Sequence, residues 1–284
     1  MHEMLFWRIM TRHLHTPMPL PPLHPDFTCV VTGCTNGIGH KIARQLAEAG
    51  TCVVMAVQNT TRANVLTEKW QFDWSKRNLP LNIEVKLIQN LTFNVMELNL
   101  LSLDSVARFA EAWNALSVLL HVLINNAGIF SSGEPQKKSK YGSEEHIQVN
   151  HLAPALCSIL LLLFFPISHQ RPSKSDCILG FVGPEDMNVS TGKKKYTNLV
   201  GYSGSKLLQV MFSSIPNNKL PSETGINIVY ASPEVVQTNF LKSESNFITR
   251  FVQAIVATYW NVSVFVTKDK RGLPLQEEIC TSCI

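Results

Sequence analysis

The sequence lacks the features that mark membrane-spanning or disulfide-rich secreted proteins. Its longest apolar run, Leu152 to Ile167, falls short of the roughly 20 residues that a spanning helix needs, so a buried helix is the better interpretation. Its seven cysteines are odd in number and show no spacing typical of a disulfide framework, which favours a reducing compartment. We therefore expect a cytoplasmic or cytosol-facing protein.

The chain also lacks a concentration of charge or of metal ligands. The net charge is only +4, and the basic runs near Lys137 and at 193–195 lie beside glycine, serine or proline, as is typical of solvated loops. The Cys-x-x-Cys formed by Cys280 and Cys283 has no second ligand pair, and the nine histidines show no ligand spacing. The sequence predicts no nucleic-acid surface and no metal site.

The first 25 residues differ in composition from the rest of the chain. Residues 4–10 are apolar but contain Arg8, and the run is too short for the apolar region of a secretory signal. Residues 17–25 are rich in proline and form a stiff spacer. We expect residues 1–25 to be an N-terminal tail, and peripheral membrane contact through residues 5–7 stays open.

After this tail, short apolar segments alternate with segments of helical periodicity. We predict strands at 27–32, 51–57, 83–88 or 93–98, 120–125, 178–182 and 226–231, and helices at 38–49, 60–78, 102–116, 143–165 and 199–214. Strands this apolar, separated by helices, indicate a parallel sheet covered on both faces. The predicted fold is a doubly wound α/β domain over 26–267, with a late edge strand at 259–267 and a C-terminal tail over 268–284.

The first predicted strand runs into a glycine-rich turn that precedes a helix. Residues 32–39 read TGCTNGIG. Glycines permit a sharp turn and let backbone N–H groups approach a pyrophosphate, which the positive end of the helix dipole also attracts. This context predicts a Rossmann-type dinucleotide site. The residues that we expect to bind the cofactor in this turn are Gly33, Thr35, Asn36, Gly37, Ile38 and Gly39.

Four ordered motifs make the chain resemble the short-chain dehydrogenase/reductase family. They are TGxxxGIG at 32–39, NNAG at 125–128, the long-helix asparagine at Asn150, and YxxxK at Tyr202 and Lys206. Sequence segments such as RQLAEAG and LHVLINNAG most resemble the plant FOREVER YOUNG-type branch of the family, which is related to retinol-dehydrogenase-like enzymes. The resemblance implies an oxidoreductase that transfers hydride between a nicotinamide cofactor and an alcohol or carbonyl. Apolar residues of the C-terminal region, such as Phe247 and Trp260, favour a small lipophilic substrate but suit the core of the protein equally.

Tyr202 and Lys206 lie four residues apart and so share one face of a helix. A neighbouring ammonium favours the phenolate, which lets Tyr202 act as the acid or base at the substrate oxygen. The resemblance implies that Lys206 also holds the ribose and that Asn150 keeps a water in the proton relay. Further cofactor contacts implied by the resemblance are Asn99, Asn126, Ala127, Gly128, Pro233 and Thr238.

The end of the second strand bears on the choice of cofactor. It reads Val57-Gln58-Asn59, without the carboxylate that binds the ribose 2′-hydroxyl of NAD, and Arg62 and Lys41 lie near in sequence. NADP(H) is therefore favoured over NAD(H). Gln58 softens this preference, because related enzymes often carry arginine there.

One expected catalytic group is missing from the sequence. The family carries a serine just after the fifth strand, but residues 177–184 contain none, and Glu234 replaces the glycine of the family's Pro-Gly motif. Loss of such a hydrogen-bond donor typically reduces the rate by ~10²–10³-fold. Ser190 and Thr191 are candidates to replace it. The alternative is a pseudoenzyme that retains dinucleotide binding as a regulatory or binding module.

The resemblance also bears on assembly. Family members commonly form dimers through the long apolar helix, which here is predicted over 143–165 and is followed by the helix at 199–214. Large apolar residues of the first helix suit either the core of the protein or such an interface. A homodimer through these two helices is therefore one expectation for this chain.

Overall fold

The computed structural model describes residues 23, 26–76, 93–131, 135–164, 196–219, 226–231 and 262–267. These residues form a six-stranded sheet with helices on both faces. In chain order the elements are β1 (Thr28–Thr32), α1 (Gly37–Glu48), β2 (Cys52–Val57), α2 (Thr60–Lys76), β3 (Phe93–Glu97), α3 (Leu103–Leu116), β4 (Val122–Asn125), α4 (Glu145–Phe164), α5 (Asn198–Lys219), β5 (Ile226–Ala231) and β6 (Val262–Thr267).

The strand order is β3-β2-β1-β4-β6-β5, and the first four of these strands are parallel. The order of connection reverses between β1 and β4, because the chain runs outward from β1 to β3 and then returns to the other side of β1. In open α/β sheets this reversal leaves a crevice at the carboxyl ends of the strands. The predicted Rossmann-type α/β fold is confirmed.

The two faces of the sheet bury separate apolar cores, which explains why the strands show no polar alternation. All five residues of β1 are buried. Cys29 and Val31 pack with α1 and α2, whereas Val30 points to the other face and packs with α3 and α4. The third strand is the 93–97 candidate, which pairs with β2, and the alternative at 83–88 lies outside the described residues.

Local signals set the ends of α3 as expected. The Ser102 side chain accepts a hydrogen bond from the Ser105 N–H, and Asp104 stands in the first turn, where the helix dipole favours an anion. The helix ends at Ser117, which adopts a left-handed conformation with φ of 53°.

The apolar helix α4 has the length and composition to cross a membrane, but half of its most apolar window is buried inside the protein. Ala153, Cys157 and Leu161 belong to the core on one face of the sheet. Near its start the helix widens into a π-helical segment, Gln148–Leu152, which contains Asn150. Such segments are frequent at functional sites because they re-aim side chains.

The sheet departs from the expected arrangement at one position. The sequence predicts a late edge strand, but β6 lies between β4 and β5 and is antiparallel to both, so the edge assignment is wrong. β4 is completely buried, and backbone groups on both of its edges need partners. β6 supplies them on the side away from β1, from Val122↔Val266 to Asn125↔Ser263. The predicted strand at 178–182 lies outside the described residues.

The buried face of α3 should dominate its contribution to stability. Phe109 is 2% exposed in the core beneath the sheet, whereas Phe72 on α2 is 58% exposed. We expect Phe109→Ala to lower the free energy of unfolding by about 3–5 kcal/mol, because it leaves a cavity. The same change at Phe72 should lower it by about 0.5 kcal/mol or less. Urea unfolding of the two variants measures both values, and equal losses would contradict this packing.

Candidate active site

A cleft of about 440 Å³ opens at the carboxyl ends of the parallel strands. Its walls come from the glycine-rich turn after β1, the end of β2 and the segments that follow β3 and β4. The predicted cofactor-binding residues that line it are Gly33, Thr35, Asn36, Gly37, Ile38, Asn99, Asn126, Ala127 and Gly128.

Two glycines of the turn are required by close backbone approach. Gly33 has a φ of +65°, and a Cβ there would lie 2.8 Å from the Ala127 Cα. At Gly39 a Cβ would lie 2.8 Å from the Gly33 carbonyl oxygen and would overlap the Asn126 amide. Gly39 is not among the residues that line the cleft, and it lies where α1 packs against the turn and the segment after β4.

The N-terminus of α1 faces the cleft with its N–H groups available. Asn36 is the residue before the helix, and within the described structure its side chain makes no capping hydrogen bond. Its Oδ1 instead accepts a hydrogen bond of 2.6 Å from the Arg62 guanidinium. A helix start of this kind combines unpaired N–H donors with the positive end of the dipole, which suits an anion.

The residues after β4 are held against the turn after β1 by hydrogen bonds. Asn126 Nδ2 donates to the Thr32 and Gly33 carbonyl oxygens at 2.9 and 3.2 Å, and the Ala127 N–H donates to Thr32 Oγ1 at 2.9 Å. Thr32 Oγ1 in turn donates to the Ile124 carbonyl oxygen. Asn126 Oδ1 is buried and has no partner among the described residues, so one acceptor remains at the floor of the cleft.

Asn99 lines the cleft, but its side-chain oxygen already accepts a hydrogen bond within its own loop. Its Oδ1 accepts from the Leu101 N–H at 3.0 Å, and its N–H donates to Ser105 Oγ at 3.0 Å. Contact with an adenine through Asn99 would therefore use a second lone pair of the oxygen or the amide N–H groups.

Asn150 joins the segment after β4 to α5. Its Oδ1 accepts from the Ile129 N–H at 2.8 Å, and its Nδ2 donates to the Ile129 carbonyl oxygen and to Ser205 Oγ, each at 3.0 Å. Both ends of this buried amide are thus hydrogen-bonded to protein. Ser205, which lies within the YxxxK motif, was not singled out by the sequence analysis.

Tyr202 and Lys206 lie together on α5, with Lys206 Nζ 5.9 Å from the centre of the Tyr202 ring. Lys206 Nζ also donates to Gln209 Oε1 at 3.3 Å. A Cβ on Gly128 would lie 3.1 Å from Asn150 Oδ1 and 3.5 Å from Lys206 Nζ. Gly128 lines the cleft, whereas Asn150, Tyr202 and Lys206 are not among its lining residues, so Asn150 and Lys206 lie next to the cleft behind Gly128.

Burial sets the charge state of the two α5 groups. It raises the pKa of Tyr202 above its ordinary value and lowers the pKa of Lys206 to about 7. The Tyr202 hydroxyl is buried without a hydrogen-bond partner in the described part of the chain. The phenol is therefore protonated at neutral pH in this structure and has a proton to donate.

A buried hydrogen-bonded cluster beside Tyr202 was missed by the sequence analysis. It consists of Glu144, His146 and Tyr196, with Glu144 Oε1 2.7 Å from His146 Nδ1 and 2.9 Å from the Tyr196 hydroxyl. The signal available in the sequence was Glu-x-His directly before the helix that carries Asn150. Motif spacing alone does not reveal it, because Tyr196 is about fifty positions away in the chain.

Several predicted residues lie outside the described structure, and their roles stay predictions. These are Pro233 and Thr238 as cofactor contacts, Glu234, residues 177–184 where the serine is missing, and its proposed replacements Ser190 and Thr191. Of the two basic residues near the end of β2, Arg62 lines the cleft, whereas Lys41 is exposed on α1 and is not among the lining residues.

Comparison with known proteins was made by sequence and by structure. The short chain dehydrogenase family profile matches residues 28–248. Dehydrogenase/reductase SDR family member FEY of Arabidopsis thaliana is 54% identical over 278 residues, covering 95% of this chain and 68% of that protein. Polyprenol dehydrogenase of Mus musculus is 32% identical over 202 residues, covering 69% of this chain and 55% of that protein. The chain thus spans only about half to two thirds of these relatives' length.

Among solved structures, an uncharacterized protein from Mycobacterium paratuberculosis is similar to this chain. Its TM-score is 0.55 at 30% sequence identity, and the match covers 72% of this chain and 66% of that one. The family resemblance predicted from the four motifs is confirmed by these comparisons.

Lys206 should make the stability of the nucleotide-free protein depend on pH. Its pKa is about 7 when folded against an ordinary value of 10.5, so between these values the unfolded chain binds more protons. The free energy of unfolding should therefore rise with pH across this window. We expect Lys206→Met to flatten that rise and the exposed-residue control Lys69→Met to preserve it, as measured by urea unfolding. A constant difference between wild type and Lys206→Met at every pH would contradict the burial argument.

Proposed function

Because the chain belongs to the short-chain dehydrogenase family, we propose that it is an NADP(H)-dependent oxidoreductase with Tyr202 as its acid/base. The substrate oxygen would belong to an alcohol or a carbonyl. The observation that carries the proposal is the position of Gly128, which lines the cleft beside the glycine-rich turn and has Asn150 and Lys206 directly behind it. A helix that only packs against its neighbours gains nothing from burying a lysine beside a cleft.

The residues of the cleft fit a dinucleotide on structural grounds. Glycines hold open space that a Cβ at Gly33 or Gly39 would fill, and the start of α1 leaves N–H groups to bind a diphosphate. Gly37 and Ile38 would provide those groups, and Lys206 would bind the ribose near the nicotinamide. The nicotinamide, when bound, supplies or accepts the hydride.

Tyr202 would manage the proton that accompanies the hydride. In reduction its phenol donates to the carbonyl oxygen, and in oxidation the phenolate takes the proton of the alcohol. The pKa of Lys206 at about 7 means that this amine gains its charge near neutral pH, and a charged amine beside the ring favours the phenolate. The charge state of Lys206 therefore influences whether Tyr202 is a phenol or a phenolate.

The wall at the end of β2 supports NADP(H) over NAD(H). Arg62, Gln58 and Asn59 line the cleft there, and the residues known to line it include no carboxylate within the described structure. The Arg62 guanidinium uses one N–H group on Asn36 and carries five in all, which leaves donors for a 2′-phosphate. A ribose 2′-hydroxyl alone would not need a cation at this point.

A lipophilic alcohol or carbonyl is the substrate class that we propose. The mouse relative is named as a polyprenol dehydrogenase, and polyprenol is a lipid alcohol. Around Tyr202 the neighbouring ring is that of Phe130, with ring centres 5.1 Å apart. An aromatic neighbour of this kind suits an apolar substrate next to the reacting oxygen.

The alternative is a dinucleotide-binding protein without turnover. The observation in its favour is the sequence of residues 177–184, which contains no serine. In that case the cleft would bind NADPH as a regulatory ligand, and Tyr202→Phe would leave NADPH binding unchanged.

We expect Tyr202→Phe to reduce turnover of a lipophilic aldehyde or ketone panel by about 10²–10⁴-fold, since it removes the acid/base group. NADPH affinity, measured by the fluorescence of the bound cofactor, should remain close to the wild-type value. Tyr141→Phe is the matched control, because Tyr141 is exposed and lies on a loop near the start of α3. Wild-type NADPH binding without turnover would reject the enzyme in favour of the alternative, and absence of binding would reject both.

Arg62→Ala should weaken NADPH binding by about 10- to 100-fold, the effect of losing one or two charge-assisted hydrogen bonds. Binding of NADH should change little, because NADH lacks the 2′-phosphate. Arg108→Ala on the exposed surface of α3 serves as the control for loss of one positive charge. Equal weakening of both nucleotides would argue that Arg62 supports the shape of the cleft through Asn36 and does not read the phosphate.

A further inference from the structure

The Glu144–His146 pair is unusually deeply buried for two titratable side chains. Their side chains are 0% and 1% exposed, respectively, and Oε1 lies 2.7 Å from Nδ1. Charged or titratable groups are rarely buried to this extent unless they are paired and hydrogen-bonded. The mechanism proposed above does not use either residue.

The hydrogen bonds assign a role to each polar atom of the pair. His146 Nε2 accepts from the Ser131 N–H at 3.0 Å, so in the neutral ring the proton is on Nδ1 and is donated to Glu144. Glu144 also accepts from the Tyr196 hydroxyl and, through Oε2, from the Ile147 N–H at 3.1 Å. Burial alone would raise the pKa of Glu144, but His146 and the backbone N–H groups of His146 and Ile147 hold it below its ordinary value. The carboxylate thus remains ionised at neutral pH.

Capping of α4 does not account for this cluster. Glu144 is the residue before the helix and its side chain accepts from the Ile147 N–H, as a cap does. A cap needs only that one bond, and serine, threonine, asparagine or aspartate would provide it at lower desolvation cost. The buried imidazole and the hydroxyl of the half-buried Tyr196 are additional polar groups, so the arrangement serves something beyond the helix end.

The cluster lies directly against the residues around Tyr202. The His146 ring centre is 6.3 Å from that of Tyr202 with the rings nearly perpendicular, and the Phe130 ring packs on both, at 6.1 and 5.1 Å. Gly201 adjoins Tyr202 in the chain, and a Cβ there would lie 3.1 Å from the Tyr196 hydroxyl and 3.2 Å from His146 Nδ1. The backbone of α5 therefore touches the cluster one residue before Tyr202.

We propose that Glu144 and His146 are positioning residues that hold Tyr196, Phe130 and the start of α5 so that the Tyr202 hydroxyl is aimed at the substrate oxygen. This inference rests on the proposed function for its catalytic consequence, but the orientation of the Tyr202 ring can be observed without turnover. Displacement of a catalytic group by about 1 Å can reduce a rate by about 10²-fold.

The orientation of Tyr202 can be read by fluorine NMR of the full chain labelled with 3-fluorotyrosine. The chain has five tyrosines, so few resonances are expected, and Tyr202→Phe assigns the one of interest. We expect His146→Gln to shift or split the Tyr202 resonance. Tyr196→Phe removes one hydroxyl and keeps the ring, so it should shift the Tyr202 resonance less. This milder variant keeps the test decisive if His146→Gln does not fold.

The matched control is His121→Gln. The His121 Nδ1 also accepts a backbone hydrogen bond, from the Thr28 N–H at 3.0 Å, but it does so at the start of β1, at the opposite end of the sheet from the cleft. The Tyr202 resonance should be unchanged in this variant. A resonance that stays at its wild-type position in both His146→Gln and Tyr196→Phe, or that moves equally in the control, overturns the proposal.

Kinetics provide the second measurement. With a carbonyl substrate that the wild type reduces, His146→Gln should lower kcat by about 10²-fold, since His146 packs beside the Tyr202 ring. KM and NADPH affinity should stay close to wild type. A loss confined to KM or to NADPH affinity contradicts a positioning role. If the wild type turns over no substrate, the proposed function fails, whereas the fluorine spectra still decide whether the cluster orients Tyr202.

Discussion

The close approach between the turn after β1 and the segment after β4 is the contact on which the site depends. Gly33 leaves room for the Ala127 backbone, and Asn126 and Thr32 hydrogen-bond the two segments together. This contact shapes the cleft on one side. The same contact fixes the position of Gly128, which follows Ala127 in the chain. The position of Gly128 in turn fixes how far Asn150 and Lys206 lie from the cleft. A side chain larger than that of glycine at position 33 or 39 would push the cofactor turn away from the segment after β4.

Burial disfavours the charged form of both Lys206 and Glu144, but the final pKa shifts differ because hydrogen bonds to Glu144 offset its burial. Burial lowers the pKa of Lys206 to about 7, so this amine changes its charge near neutral pH. Glu144 is buried with three donors and keeps its charge. The first condition suits a group that takes part in proton transfer, whereas the second suits a group that holds its neighbours in place.

The motifs that local chain chemistry determines were predictable from sequence. A strand, three spaced glycines and a helix specify the turn at 32–39, and spacing of four residues on a helix brings Tyr202 and Lys206 to one face. The position of β6 was not predictable in this way. An apolar β-rich segment can pair with any exposed strand edge, and only the assembled sheet shows that β4 provides that edge.

The sequence by itself thus determined the order of the elements, the cofactor turn and the Tyr-Lys pair, because each of these depends on residues close together in the chain. Tertiary structure alone decided that Gly33 meets Ala127, that Asn150 bonds to Ser205, and that Glu144, His146 and Tyr196 form one cluster beside Tyr202. These contacts join residues about 50 to 95 positions apart, apart from the short Glu-x-His step. No local periodicity encodes them, since they arise only when helices and strands pack around a common core.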